Sequence, residues 1–246
     1  KFNNNAKIAL IDDMKNAYHI TQPIITKTDK EDYKTVFSDS IMLNVSRGCT
    51  RGCRFCMSSY LYRPLRETKI KELVNIALKT RENTNLNKIT LIGAAVGDYY
   101  DLEGLTKALE SEGFQIATPS LRIDSLSRET LETLKKSGLK SITIAPESIS
   151  TLRERINKSI SDEKIFSVIK NAVDLDFNIK LYFLIGIPYE SKEDIEELAN
   201  YIEKIANMHK NRNYIKFSIN PVIPKPQTPL QWEVYNFKEI KSKTRY

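Results

Sequence analysis

Segments with the pattern of β-strands alternate with segments with the pattern of helices along most of this chain. Strand patterns lie at 42–46, 88–93, within 114–123, and at 141–145, 179–185 and 215–219. Apolar residues recur at helical spacing between them, at 69–80, 102–112, 128–136, 151–156, 162–175 and in a long helix opened by a capping box at Ser191. Strands separated by helices form parallel βα units, and right-handed crossovers then give a partial (β/α)6 barrel. We therefore predict an α/β fold with its functional residues at the carboxyl ends of the strands.

A single core domain is long enough to contain all these units. The 246 residues are 41% hydrophobic and 28% charged, as in ordinary globular proteins. We predict an N-terminal segment at 1–40 that wraps the core, a core domain at 41–232 and a C-terminal extension at 233–246. No apolar run approaches the roughly 20 residues of a membrane span, so we expect no membrane partner. The chain begins with Lys1 rather than Met, and we expect the natural protein to extend upstream.

All three cysteines of the chain lie close together, at Cys49, Cys53 and Cys56, with the spacing C-x3-C-x2-C. A closed [4Fe–4S] site needs four thiolates, so three would leave one iron open to a small chelating molecule. An open position distinguishes a metal site that does chemistry from one that only supports a fold. Zinc stays an alternative, because His19 or His209 can converge on the thiols in space. A disulfide framework would leave one cysteine over, and clustered free thiols suit a reducing, cytoplasmic compartment.

The chain carries a net charge of +7, with 38 Lys and Arg against 31 Asp and Glu. We favour a lysine-rich solvated surface over a nucleic-acid face as the explanation. Arginines also concentrate around the cysteines. We expect them to lower thiolate pKa values, to offset the charge of an anionic cluster and to offer contacts to a substrate carboxylate or phosphate. They are Arg47, Arg51, Arg54, Arg63 and Arg66.

The cysteine spacing, with the aromatic Phe55 directly before the third cysteine, resembles the signature of the radical SAM superfamily. The wider string from Ser46 to Glu67 resembles members that often carry an upstream cobalamin-binding domain. Weaker matches follow in order at 145–147, 156–158, 183–188 and 224–229, so the resemblance covers about residues 40 to 232. It implies the same partial barrel, a [4Fe–4S] cluster on the three cysteines, and S-adenosylmethionine (SAM) chelating the open iron.

The resemblance also implies contacts to SAM after the second and third strands. The small-residue segment from Gly93 to Gly97 corresponds to the stretch that contacts the SAM amino group, although a tight turn would also explain these glycines. Ser120, Arg122 and Asp124 alternate, which predicts one strand face. Ser120 and Arg122 would then supply polar contacts, with Arg122 clamping the SAM carboxylate. An internal Arg122–Asp124 ion pair is the structural alternative.

Further contacts are implied after the fourth and fifth strands. Glu147 would bind SAM together with a basic residue, Lys158 or alternatively Arg155. A solvated carboxylate that caps a helix is the structural alternative for Glu147. The segment after the fifth strand would lie near the adenine, with Ile187 or Ile185 packing on the ring.

The implied reaction is reductive cleavage of SAM to methionine and a 5′-deoxyadenosyl radical, which abstracts hydrogen from a substrate. The upstream module that we expect would add cobalamin, and with it methyl transfer or carbon-skeleton chemistry. An RNA-modifying enzyme similar to methylthiotransferases stays open, although no separate RNA-binding domain is visible, and so does a non-catalytic iron–sulfur or zinc scaffold. We expect an electron donor such as flavodoxin or ferredoxin as a partner. The substrate, whether a small molecule, a peptide or a nucleic acid, is not identified by the sequence.

Overall fold

This computed structural model describes residues 11–24, 37, 39–118, 121–210 and 214–245. Strands and helices follow one another along most of these residues. The strands are β1 (Ile41–Asn44), β2 (Ser46–Arg47), β3 (Arg66–Glu67), β4 (Lys88–Ile92), β5 (Gln115–Ala117), β6 (Ser141–Glu147), β7 (Asn178–Ile185) and β8 (Ile215–Pro221). The α-helices are α1 (Ser58–Leu61), α2 (Ile70–Thr84), α3 (Leu102–Ser111), α4 (Arg128–Lys136), α5 (Ser150–Arg155), α6 (Asp162–Asp174), α7 (Lys192–Ala206) and α8 (Phe237–Lys243).

Two three-stranded parallel sheets form the centre of the fold. Their strand orders are β1-β4-β5 and β6-β7-β8. The main-chain N–H of Leu121 donates to the carbonyl oxygen of Thr143 at 2.9 Å, which connects the segment after β5 to β6. Among the described residues β1 and β8 do not pair with each other, so the barrel stays open between them. The predicted α/β fold with a partial barrel is confirmed.

Helices cover one face of the curved sheet. Phe183 of β7 is buried and its ring centroid lies 6.4 Å from that of Tyr201 in α7. Tyr201 in turn lies 5.3 Å from Phe166 of α6. Burial of such side chains contributes roughly 1.5–3 kcal/mol each. On the opposite face of β7, Tyr182 and Leu184 are only half-buried, so the inside of the open barrel remains accessible.

Local sequence signals place several helices correctly. The predicted helix at 128–136 is α4. At the start of α7, the Ser191 hydroxyl accepts a hydrogen bond from the Asp194 N–H at 3.1 Å, and the Asp194 carboxylate accepts one from the Ser191 N–H at 2.8 Å. These reciprocal bonds satisfy N–H groups that a helix leaves free at its first turn. The predicted capping box is therefore confirmed.

The third strand is shorter than predicted. β5 covers only Gln115–Ala117, and Ile123–Ser125 is a 3-10 turn preceded by Arg122. The prediction that Arg122 and Asp124 lie on a strand face is therefore wrong. β5 pairs with β4, but the N–H of Leu121 further along the chain bonds to β6 instead. The change of partner strand requires a turn.

The two ends of the chain contact the core where they are described. The Arg66 guanidinium donates to the carbonyl oxygen of Ile11 at 2.9 Å, and Asn83 in α2 donates to that of Thr21 at 3.0 Å. At the other end, the Lys243 ammonium of α8 lies 3.0 Å from the buried Glu190 carboxylate. The division into segments at 1–40, 41–232 and 233–246 stays a prediction.

None of the helices in the described ranges combines the length and the apolar character needed to cross a membrane.

Candidate active site

The cysteine-containing loop is closed at its base by a small antiparallel ladder. Ser46 of β2 pairs with Glu67 of β3, and Arg47 pairs with Arg66. Gly48 follows directly with φ of +90°, and a Cβ placed there would lie 2.4 Å from the Tyr62 carbonyl oxygen. Only glycine fits this left-handed position against the returning strand. The ladder thus gathers residues 48–65 into one loop at the carboxyl end of β1 and β2.

The three cysteines line one open cavity of about 230 Å³. Cys49 and Cys53 are buried, and Cys56 is half-buried. The Ser59 hydroxyl of α1 lies 3.8 Å from the Cys49 sulfur. Phe55 of the same loop and residues from later strands and the segments that follow them complete the wall of the cavity, among them Ala95, Arg122, Ala145, Glu147 and Lys158.

A single metal ion and an iron–sulfur cluster place different demands on three thiols. In the part of the chain that the structure describes, no three His, Cys, Asp or Glu side chains converge on one metal-ion position. Thiolates around one zinc each lie about 2.3 Å from the metal and so must crowd together. In an iron–sulfur cluster the thiolates bind different irons and can stand farther apart. Three thiols that line one cavity without forming a single-ion site among the described residues are compatible with a cluster.

Burial controls the acidity of the central thiol. It raises the pKa of Cys53 above its ordinary value, while the nearby charges of Lys158 and Arg122 act in the opposite direction. The expectation that surrounding arginines lower the thiolate pKa is therefore wrong for Cys53. The physical reason is that desolvation of the thiolate outweighs the attraction to cations that are themselves engaged elsewhere.

A buried ion pair faces the cysteines across the cavity. The Lys158 ammonium donates to Glu147 Oε1 at 2.5 Å, and both side chains are at least 90% buried. Glu147 ends β6 after a bulge, with a left-handed φ of +70°. Burial raises the pKa of the Glu147 carboxyl, and Lys158 opposes that shift. The solvated helix cap considered for Glu147 is therefore not what the structure contains.

Arg122 lies in a network of two arginines and two aspartates beside the cavity. Its Nε donates to Asp124 at 3.0 Å and lies 3.8 Å from Asp98. Arg51, between the first two cysteines, donates to Asp98 at 2.8 and 2.6 Å and lies 3.1 Å from Asp124. The internal Arg122–Asp124 pair is thus present, and Arg122 still lines the cavity. Sequence reasoning missed Asp98, although an acidic residue directly after the small-residue segment was an available signal.

Other arginines near the cysteines hold main-chain carbonyl groups. Arg54 donates to the Arg155 carbonyl oxygen at 2.8 Å, and Arg63 donates to that of Thr50 at 3.2 Å. Arg66 holds the carbonyl oxygens of Pro64 and Ile11, among others. These contacts give the arginines a structural function in the loop. Their predicted contact with a substrate anion stays a prediction.

The two glycines after β4 pack closely against neighbouring residues and do not line the cysteine cavity. A Cβ on Gly93 would lie 2.7 Å from the Ser46 hydroxyl oxygen. A Cβ on Gly97 would lie 2.7 Å from the Arg122 nitrogen and 2.8 Å from the Ser125 hydroxyl oxygen. The residues between them supply the cavity wall instead, at 94–96. The predicted contact of Gly93 and Gly97 with SAM stays untested.

Two further predicted residues stand apart from this group. Ser120 lies outside the described residues. Ile187 is buried and lines a second cavity, of about 240 Å³, between the end of β7 and α8. Phe55, by contrast, lines the cysteine cavity, and its predicted contact with the cofactor stays a prediction. The structure therefore unites Phe55, Arg122, Glu147 and Lys158 with the cysteines, and does not bring Ile187 to the same cavity.

Known proteins resemble this chain both in sequence and in fold. The family model of the Radical SAM superfamily matches residues 43–202. An uncharacterized protein of Methanocaldococcus jannaschii is 37% identical over 230 residues, which cover 91% of this chain and 49% of the relative. A cytidylyl-2-hydroxyethylphosphonate methyltransferase of Streptomyces wedmorensis is 28% identical over 181 residues, which cover 69% of this chain and 34% of that protein. The chain thus spans half or less of the length of these relatives.

The fold has a counterpart among solved structures. The radical S-adenosylmethionine methyltransferase TsrM from Kitasatospora setae, solved with cobalamin and a [4Fe–4S] cluster bound, superposes with a TM-score of 0.64 at 11% identity. The match covers 79% of this chain and 36% of that one. At this identity the likeness concerns the fold alone. The family match, which covers more than half of the residues, and the cavity lined by the three cysteines together lead to one conclusion: this chain belongs to the radical SAM superfamily.

Proposed function

We propose that Cys49, Cys53 and Cys56 hold a [4Fe–4S] cluster, the cofactor that radical SAM enzymes use together with SAM. The observation that carries this proposal is the composition of the cavity wall. The chain's only three cysteines line the same cavity as a buried lysine–glutamate pair. Three thiolates leave one iron without a protein ligand. Burial disfavours the charged thiolate of Cys53, and an iron ion that displaces the thiol proton would compensate that charge.

We infer that three charged residues of the cavity wall bind and orient SAM. Lys158 and Arg122 are cations on the cavity wall, and either can hold the SAM carboxylate. Glu147 can accept a hydrogen bond from the SAM amino group, and Lys158 opposes the rise in the pKa of its carboxyl that burial causes. The half-buried ring of Phe55 covers part of the cavity and limits the access of water.

When bound, the cluster and SAM would supply the chemistry, a one-electron reductive cleavage of a carbon–sulfur bond of SAM. The chain's own residues bind, orient and shield these groups, as is general for cofactor enzymes. Because SAM cleavage consumes an electron, we also propose an external electron donor such as flavodoxin or ferredoxin.

We further propose that the complete protein transfers a methyl group with the help of cobalamin. Two likenesses support this step. One relative bears the name of a methyltransferase, and the superposed TsrM structure is a methyltransferase with cobalamin bound. The relatives are longer than this chain, so a second module that holds cobalamin is compatible with both.

One experiment separates this proposal from a non-catalytic scaffold. The protein is purified without oxygen, its iron and zinc are measured, and it is then incubated with SAM and a strong reductant. We expect about four irons per chain and the release of methionine and 5′-deoxyadenosine. Bound zinc, or a complete cluster that leaves SAM intact, would favour the scaffold. A corrinoid spectrum in the full-length protein tests the cobalamin step separately.

A further inference from the structure

The side chain of Asn157 connects the loop that carries the cysteines to the segment after α5. Asn157, in the segment after α5, donates from its amide nitrogen to the Gly52 carbonyl oxygen at 2.9 Å and to that of Arg51 at 3.2 Å. Both acceptors lie between the first two cysteines. The partners are more than a hundred positions apart in the chain, so these bonds exist only in the folded protein.

Main-chain bonds beside Asn157 strengthen the same junction. The Arg54 N–H donates to the Ile156 carbonyl oxygen at 2.9 Å. The Arg54 guanidinium donates to the Arg155 carbonyl oxygen at 2.8 Å. The residues directly before and after Cys53, Gly52 and Arg54, therefore both bond to the segment 155–157.

The backbone at the junction is unusual on both sides. Gly52 has φ of +73° and Asn157 has φ of +54°, both in the left-handed region. A Cβ on Gly52 would lie 3.2 Å from the Asn157 amide nitrogen. Asparagine is among the few residues other than glycine that adopt this conformation readily, and it also supplies two amide donors. The two positions therefore fit each other in conformation as well as in hydrogen bonding.

The residue after Asn157 is Lys158, whose ammonium holds Glu147 across the cavity. Asn157 thus links the loop that contains Cys53 to the buried ion pair. We propose that Asn157 is a positioning residue that holds the iron ligand Cys53 at a fixed distance from the Glu147–Lys158 pair, so that cluster and SAM meet in the geometry needed for cleavage. The inference rests on the proposed function of Cys53 and of the ion pair.

A purely structural function for Asn157 would stabilise the loop without affecting SAM. The variant Asn157→Gly tests this difference, because glycine keeps the left-handed backbone and removes only the amide. Asn157→Asp keeps the size of the side chain and removes both donors. Asn85 offers a matched control, since it ends α2 with φ of 60°, is exposed and lies in another part of the fold.

The experiment has one measurement without the cluster and two with it. In the full chain without iron, we expect the Arg54 amide to exchange with deuterium about five-fold faster in Asn157→Gly. In the reconstituted protein, we expect SAM to bind about ten-fold more weakly at unchanged iron content. Loss of one or two hydrogen bonds corresponds to about five- to thirty-fold in an equilibrium constant. The EPR spectrum of the reduced cluster should also change its response to SAM, while Asn85→Gly should match the wild type in all measurements.

The possible results distinguish a positioning function of Asn157 from a purely structural one. Faster amide exchange with normal SAM affinity and a normal EPR response would leave Asn157 with a structural function only and would overturn the proposal. Unchanged exchange and unchanged affinity would overturn it as well. If Asn157→Gly does not fold, the same criteria apply to Asn157→Asp. A wild-type protein that binds iron but no SAM would instead refute the proposed function, whatever the exchange rates.

Discussion

Lys158 Nζ lies 2.5 Å from Glu147 Oε1, and both side chains are buried in the wall of the cavity that the three cysteines line. Two charges removed from water are costly unless they compensate each other or bind a ligand. Variants of this pair can therefore separate its contribution to the free energy of unfolding from its contribution to SAM binding.

Removing one partner of this pair should destabilise the protein strongly. Glu147→Gln or Lys158→Met leaves an uncompensated buried charge, which typically costs about 3–5 kcal/mol. In the double variant, two neutral side chains replace the pair, and most of the free energy of unfolding should return. SAM affinity should not return, because both polar contacts are lost. Denaturant unfolding and SAM titration measure the two effects, and a double variant that binds SAM normally would make the pair purely structural.

Replacing any one of Cys49, Cys53 or Cys56 by alanine should abolish the brown colour of the cluster and all SAM cleavage. The physical reason is that in the proposed cluster each thiolate would hold a separate iron, and no other cysteine is present in the sequence to replace it. Iron analysis after anaerobic reconstitution, with a product assay, gives the result. A single variant that keeps four irons and full activity would show that the ligand assignment is wrong.

Arg122→Ala should weaken SAM binding by about ten- to a hundred-fold and leave the iron content intact. Loss of a charge-assisted contact costs roughly 1.5–3 kcal/mol. Asp124→Asn is the matched control, because it removes the ion pair with Arg122 and keeps the guanidinium. If both variants lose SAM affinity equally, Arg122 acts through its partner Asp124 rather than through direct contact with SAM.

Gly48→Ala should prevent normal cluster assembly. Its Cβ would lie 2.4 Å from the Tyr62 carbonyl oxygen, so the base of the cysteine loop would have to open. Gly113→Ala is the control, because Gly113 is also left-handed, with φ of +79°, and a Cβ there meets no atom within 4 Å.

The control should lose only the roughly 1–2 kcal/mol of left-handed strain and should still assemble its cluster. Iron content and thermal unfolding of both variants provide the comparison. Normal cluster content in Gly48→Ala would contradict the tight closure described for the loop.

Features that depend on neighbours in sequence were predictable from the sequence. The alternation of strands and helices, the boundaries of α4 and the capping box at Ser191 all follow from local periodicity and from bonds within one turn. The cysteine spacing likewise predicted the family, because three ligands of one cluster lie within a single loop.

Contacts between distant segments were decided only by the tertiary structure. β5 ends after Ala117 because the chain then bonds to β6, which no local pattern encodes. Gly93 packs against Ser46, and Asn157 bonds to Gly52, because the packing of the strands and helices brings these distant segments together. Local sequence sets which segments form strands, helices and ligand loops, whereas burial and long-range hydrogen bonds, which arise only after packing, decide where their charged and polar groups meet.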